Sequence, residues 1–233
     1  MARQHTCLAR FPRHETMDTQ VAKSVAGGKR ADHGMIAARR RLAELIQSIR
    51  RRAHEAFDAL LHDRRRAAAH ARLIRAMPVQ SVVFLCHGNI CRSSYAEFAF
   101  RRLAASNAVR MSVESAGFIG PNRQPPQHAL GVALRRGIDM ATHRSRLLTQ
   151  PMLASAGIVV VMAAEQARAI RPLVRRDVIF VLGDLDPRPN QRRTIRDPWG
   201  ESESVFEASY ERIDRCLAEL MGPIVARRHP TTD

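Results

Sequence analysis

The chain has 233 residues, 45% of them hydrophobic, enough for one globular domain with an appendage or for two small domains. Its formal net charge is +16, and residues 1–78 alone hold 17 Lys and Arg against 7 Asp and Glu, so most of the excess lies in the first third. No apolar run approaches the ~20 residues of a membrane-spanning helix. Four unevenly spaced cysteines, Cys7, Cys86, Cys91 and Cys216, with no secretory signal, argue against a disulfide framework and for a reducing cytoplasm, where a cysteine more often does chemistry.

Residues 1–33 mix Arg, His, Thr, Gly and Lys without periodicity, and Gly27-Gly28 interrupts any helix, so a disordered basic arm is expected there. Over residues 34–78, Leu42, Ile46, Ile49, Ala53, Phe57 and Leu60 recur at three- and four-residue steps. That spacing predicts one long amphipathic helix carrying Arg39-Arg40-Arg41, Arg50-Arg51-Arg52 and Arg64-Arg65-Arg66 on its polar face. Pro78 ends it, because proline disfavours helical geometry in the residue before it. Such a face suits an anionic partner, nucleic acid or a membrane surface, and equally a solvated helix that dimerises or packs on the domain. Phe57 is the only aromatic in the stretch, which argues against base stacking.

Beyond Pro78 strands and helices alternate. Ser81 to Leu85, Met111 to Glu114, Ile158 to Met162 and Val178 to Leu182 read as buried strands. Helices are expected at Ser93 to Leu103, near His128 to Arg136, around Glu165 to Val174, and from about Glu203 to Leu220. This order predicts an α/β fold: a small doubly wound domain over residues 79–222, its four-stranded parallel sheet flanked by helices, with a flexible tail at 223–233.

The segment Val82-Val83-Phe84-Leu85-Cys86-His87-Gly88-Asn89-Ile90-Cys91-Arg92-Ser93 carries the chemistry. A strand runs into a loop and the loop opens a helix, at the sheet end where open parallel sheets place ligands. Five residues between Cys86 and Arg92 let successive N–H groups curl into an anion nest. Arg92 closes it with a planar fork that matches two phosphate oxygens, and the helix N-terminus adds its dipole. The same groups favour thiolate over thiol at Cys86, placing a nucleophile beneath a bound phosphorus. Gly88 is expected at the turn with positive φ, and Asn89 tolerates the left-handed region. Asp197, in Arg196-Asp197-Pro198-Trp199-Gly200, is the candidate proton donor for the leaving oxygen, with Trp199 as an apolar wall.

Residues 80 to about 222 resemble the low-molecular-weight protein tyrosine phosphatase family, in its Cys-x-Gly-Asn-x-Cys-Arg-Ser loop and later Asp-Pro-aromatic motif. The resemblance implies a hydrolase for phosphotyrosyl protein that uses neither metal nor other cofactor, with Ser93 stabilising the thiolate. It also implies that Ser115 and His143 brace Asn89, and that Cys91 traps oxidised Cys86 as a disulfide. A bacterial tyrosine kinase is a target by resemblance alone. Ser94 stands where the family usually has proline, Trp199-Gly200 replaces its paired tyrosines, and Phe118-Ile119-Gly120 alters the next loop, where Phe118 is expected in the substrate wall. Two alternatives stay open: an arsenate reductase on the same fold, and a binding module that keeps the phosphate loop while the basic helix recognises nucleic acid or membrane. The plainer readings make Cys86, Cys91 and Cys216 packed thiols, Asp197 a turn residue and His143 an ordinary histidine.

Overall fold

The computed structural model describes residues 39–50, 52–53, 56–57, 61–189 and 192–227. The expected arm at 1–33 and the end of the tail at 228–233 lie outside the described residues. Two compact units emerge, Met1–Ala53 and His54–Asp233. In the first, residues 39–50 form helix α1, on which Leu42, Ile46 and Ile49 of the apolar row are exposed.

The second unit contains α2 (His62–Ala76), preceded by a turn at Leu61; of the helix expected over 34–78, residues 34–38, 51, 54–55 and 58–60 lie outside the described residues. Met77 turns extended before Pro78, as the proline requires. The rest follows as β1 (Ser81–Cys86), α3 (Arg92–Ser106), β2 (Ser112–Gly117), α4 (Gln127–Arg135), α5 (Gln150–Ser155), β3 (Ile158–Val161), α6 (Ala164–Ile170), β4 (Ile179–Val181) and α7 (Glu203–Ala226), with 3₁₀ turns at Arg176–Val178 and Leu182–Leu185. The last helix continues to Ala226 rather than ending near Leu220, so residues 223–226 are helix and not tail.

All pairings are parallel and the strand order is β2-β1-β3-β4. From β1 the chain therefore crosses to one neighbour and later returns to the other, which puts the switch point of the sheet at the carboxyl end of β1. β1 is central, and after its half-buried first residue it is buried throughout, which explains its unbroken apolar run. Alternation sends Val82, Phe84 and Cys86 to one face, against α3, α4 and α7, and sends Val83 and Leu85 to the other. Phe84 meets Phe100 edge-on with ring centroids 5.5 Å apart, fixing α3 over the strand.

Helix α2 belongs to this unit. Its Ala69 and Leu73 are buried in the main core, His62 bonds the Asp186 carbonyl at 3.1 Å, and Arg66 reaches Glu219 of α7 at 2.6 Å.

Candidate active site

Cys86 is the last residue of β1 and Arg92 the first of α3, so the loop between them connects a sheet strand directly to a helix N-terminus. Both side chains are buried. The sulfur accepts two hydrogen bonds, from the Asn89 backbone N–H at 3.2 Å and the Ser93 hydroxyl at 3.0 Å. Donors aimed at sulfur, next to a helix N-terminus, stabilise negative charge there.

Asn89 organises the loop. Its φ of 52° lies in the left-handed region, a conformation costly for a side-chain-bearing residue unless the surroundings fix it. They do. Its side-chain amide donates to Ser93 Oγ at 2.9 Å and to Ser115 Oγ at 2.7 Å, and its Oδ1 accepts from Arg146 N at 2.9 Å. Its carbonyl lies 2.7 Å from His143 Nε2. The Ser115 hydroxyl donates a hydrogen bond to buried Glu97, whose other oxygen meets Arg101 at 2.6 Å. Burial pushes the His143 imidazole below its usual range, partly opposed by its bond to the Asn89 carbonyl.

Gly88 corrects the expectation placed on it. Positive φ falls on Asn89, not Gly88; a Cβ at Gly88 would come within 2.8 Å only of Arg123 Nη2, the far end of a side chain, which would have to shift. Arg123 is the residue the motif did not reveal. Its guanidinium donates to the carbonyls of Gly88 at 2.9 Å, Ile119 at 3.0 Å and Gly120 at 2.8 Å, pinning the outer edge of the loop. Gly117, at the end of β2, admits no side chain, because a Cβ would lie 2.9 Å from Asn89 N and Gly88 C.

Arg92 donates through Nη1 to the Ile195 carbonyl at 3.0 Å and pairs through Nη2 with Asp197. Its buried Nε has no hydrogen-bond partner among the described residues. That Nε–H is a buried donor still to be met. Asp197 is half-exposed rather than packed behind Trp199, and its other oxygen accepts from Trp199 N at 3.3 Å.

A cleft of about 190 Å³ opens over the sulfur, lined by Cys86, His87, Gly88, Ile90, Cys91, Ile119, Arg123, Asp197 and Trp199. Phe118, expected in this wall, is absent from it. Beyond β2 the chain bends, with the N–H groups of Phe118 and Ile119 both on the His87 carbonyl, and there Phe118 packs against the core cluster that holds Val83 and Leu85 while Ile119 lines the cleft. Cys91 caps α3 inside the cleft, its thiol pushed up by burial and then by Cys86 and Asp197 nearby. Tyr210 of α7 donates to the Cys91 carbonyl at 3.2 Å and stacks on Tyr95 with centroids 3.8 Å apart, tying α7 to the helix that carries Arg92. No group of three or more metal-ligating side chains occurs among the described residues.

The profile of the family described as low molecular weight phosphotyrosine protein phosphatase matches residues 81–229. A low molecular weight phosphotyrosine protein phosphatase of Sus scrofa is 32% identical over 151 residues, 61% of this chain and 94% of that protein. A protein-arginine-phosphatase of Bacillus subtilis is 28% identical over 142 residues, 60% of this chain and 93% of that protein. Among solved structures, a low molecular weight protein tyrosine phosphatase from Bacillus subtilis superposes with a TM-score of 0.57 at 26% identity, covering 64% of this chain and 99% of that one.

Proposed function

Since the chain belongs to the low molecular weight phosphotyrosine protein phosphatase family, we propose that it hydrolyses phosphotyrosine in proteins through a phosphocysteine, with Cys86 as nucleophile, Arg92 as phosphate clamp and Asp197 as general acid. The observation that carries the reading is the buried sulfur at the end of β1, held by two donors, with Asp197 lining the cleft over it and Arg92 paired to Asp197. A phosphoryl group seated in the loop would take the inward N–H groups and the free Nε of Arg92. It would compete with Asp197 for the guanidinium and release that side chain toward the leaving oxygen. Sulfur then forms the S–P bond as the ester P–O bond breaks, and protonated Asp197 gives its proton to the phenolic oxygen. In the second half, the Asp197 carboxylate takes a proton from water as that water attacks phosphorus and the S–P bond breaks. Ser93, Asn89, Ser115 and His143 hold the loop in shape and Cys91 caps its helix. A reducing, cytoplasmic setting fits a nucleophile that must stay a free thiol.

The relative named for arginine phosphate raises a second substrate, a phosphorylated guanidinium. The cleft favours the aryl ester. Ile90, Ile119 and the Trp199 ring offer apolar surface to an aromatic leaving group, while the Arg123 cation opposes a second guanidinium. Arsenate reduction is not favoured, because the third described cysteine, Cys216, is fully buried in α7, its thiol pushed up by burial. The family match begins at residue 81, and the comparisons supply no support for an anionic partner of the Arg-rich helix.

The test sets phosphotyrosyl and phosphoarginyl peptides side by side, with acid-quench trapping of the phosphoenzyme. Cys86→Ser should abolish turnover and trapping while phosphate binding persists. Turnover by that variant, or a labelled enzyme in which another residue carries the phosphoryl group, refutes the assignment.

A further inference from the structure

Strand β4 is an edge of the sheet, and an edge leaves carbonyl and N–H groups without strand partners. Here α2 covers it. Arg72 donates to the carbonyls of Arg176 at 3.1 Å, Asp177 at 3.3 Å and Ile179, and its guanidinium carbon lies 4.7 Å from the centre of the Phe180 ring. Those hydrogen-bond and ring partners are neutral, and Asp184 and Asp177 act on the guanidinium only through space.

A cavity of about 290 Å³ opens beside it, larger than the cleft over Cys86 and sharing no lining residue with it. Four arginines line it, Arg72, Arg171, Arg176 and Arg193, against one acid, Asp177. Carboxylates meet this ring only in part. Asp184 pairs with Arg193 through both oxygens, at 2.9 and 2.7 Å, and Asp177 is held by Arg175 outside the ring, one contact at 3.1 Å, so Arg72, Arg171 and Arg176 have no carboxylate in hydrogen-bond or ion-pair contact among the described residues. The side chains of Arg171 and Arg176 have no hydrogen bond or ion pair among the described residues. A second cavity of about 330 Å³, bounded by Arg72, Arg75, Ala76 and Asp177, extends the basic surface along α2.

We propose that this cavity at the β4 edge is a second anion site, which takes an oligophosphate group. Guanidinium forks match phosphate oxygens in pairs, and several of them converging on one space call for a ligand with more than one phosphoryl charge. Ala167, Ile179 and Val181 form an apolar floor that shapes the space without competing for the ligand's oxygens.

The experiment titrates the full chain with inorganic tripolyphosphate by calorimetry, with vanadate present at saturation to occupy the catalytic loop. One saturable site is expected. The pair Arg171→Ala/Arg176→Ala should weaken it by about tenfold or more, since each charge-assisted contact to phosphate is substantial. The pair Arg40→Ala/Arg41→Ala in α1 should leave it unchanged. ATP run in parallel distinguishes a nucleotide-borne triphosphate from a free one, and binding of either with that arginine dependence supports the site. Equal weakening by both pairs would show diffuse attraction to a +16 chain and overturn the proposal, as would the absence of saturable binding. Phosphatase turnover measured on the Arg171→Ala/Arg176→Ala protein confirms that it is folded, and its loss of tripolyphosphate binding is read independently of the catalytic assignment.

Discussion

Asn89 spends its backbone and side-chain polar groups on one loop, and the loop's shape rests on that expenditure. Two neighbours give the sharpest tests. A Cβ at Gly117 would press on backbone atoms of Asn89 and Gly88, which have nowhere to yield. Gly117→Ala should lower kcat/KM on p-nitrophenyl phosphate by roughly 10²-fold through misplacement alone. Gly222→Ala, which meets nothing within 4 Å, should leave it unchanged. His143 gives a pH signature. Its folded imidazole holds a proton less readily than the ordinary value of 6.5, so below that pH the unfolded chain binds more protons than the folded one. The stabilisation is full above pH 6.5 and falls as pH drops through the depressed folded value. Urea midpoints at pH 7.5 and 5.5 should therefore separate more for the wild type than for His143→Gln; a gap independent of pH contradicts this. Asp197→Ala should slow phenyl phosphate more than p-nitrophenyl phosphate, and equal losses would remove its role as acid. Cys86, Asn89, Arg92 and Ser93 were legible in the sequence because they share one short loop. Arg123 and Glu97 were not, since their contacts join segments far apart in the chain, and Gly88 was misread because the positive φ of the loop falls on Asn89.

At the level of elements, the four strands were legible, three of them as apolar runs, and so were the four helices expected after Pro78. The short α5, six residues with a proline in its first turn, lacks the length for a periodic signal. The basic helix shows the limit more clearly. Periodicity finds a stripe but not what the stripe faces, and the row from Leu42 to Ile49 is exposed while Ala69 and Leu73 of α2 are buried. The arginines of α2 act as docking groups, since Arg66 and Arg72 reach Glu219 and the β4 edge across more than 100 residues of sequence. Leu73 has no exposed surface and packs in the main core. Leu73→Ala should cost about 2–5 kcal/mol in chemical denaturation, the range for a buried leucine truncated to a cavity. A loss below ~0.5 kcal/mol, the scale of a surface substitution, would mean that α2 does not pack on the domain.

Over the whole molecule, charge and structure divide the chain at different places. Residues 1–53 hold 12 Lys and Arg against 4 Asp and Glu and form one unit, whereas α2 falls in the other unit although it lies before the family match at 81–229. The physical domain is therefore longer at its amino end than the family segment. The reason is the sheet edge: Arg72 satisfies carbonyls at β4, and Leu73 and Ala69 close the core over the turn that follows. Two truncations separate these boundaries. A chain starting at His54 should keep kcat/KM on p-nitrophenyl phosphate and the full Tm, because the Cys86 loop, the sheet and α2 all lie in the unit His54–Asp233. A chain starting at Val79 should retain every residue of the Cys86 loop and yet unfold at a Tm lower by ten degrees or more, as expected when several kcal/mol of burial leave a domain of ~150 residues. Equal Tm values for the two chains would show the edge of β4 to be self-sufficient and α2 to be an ornament of the fold.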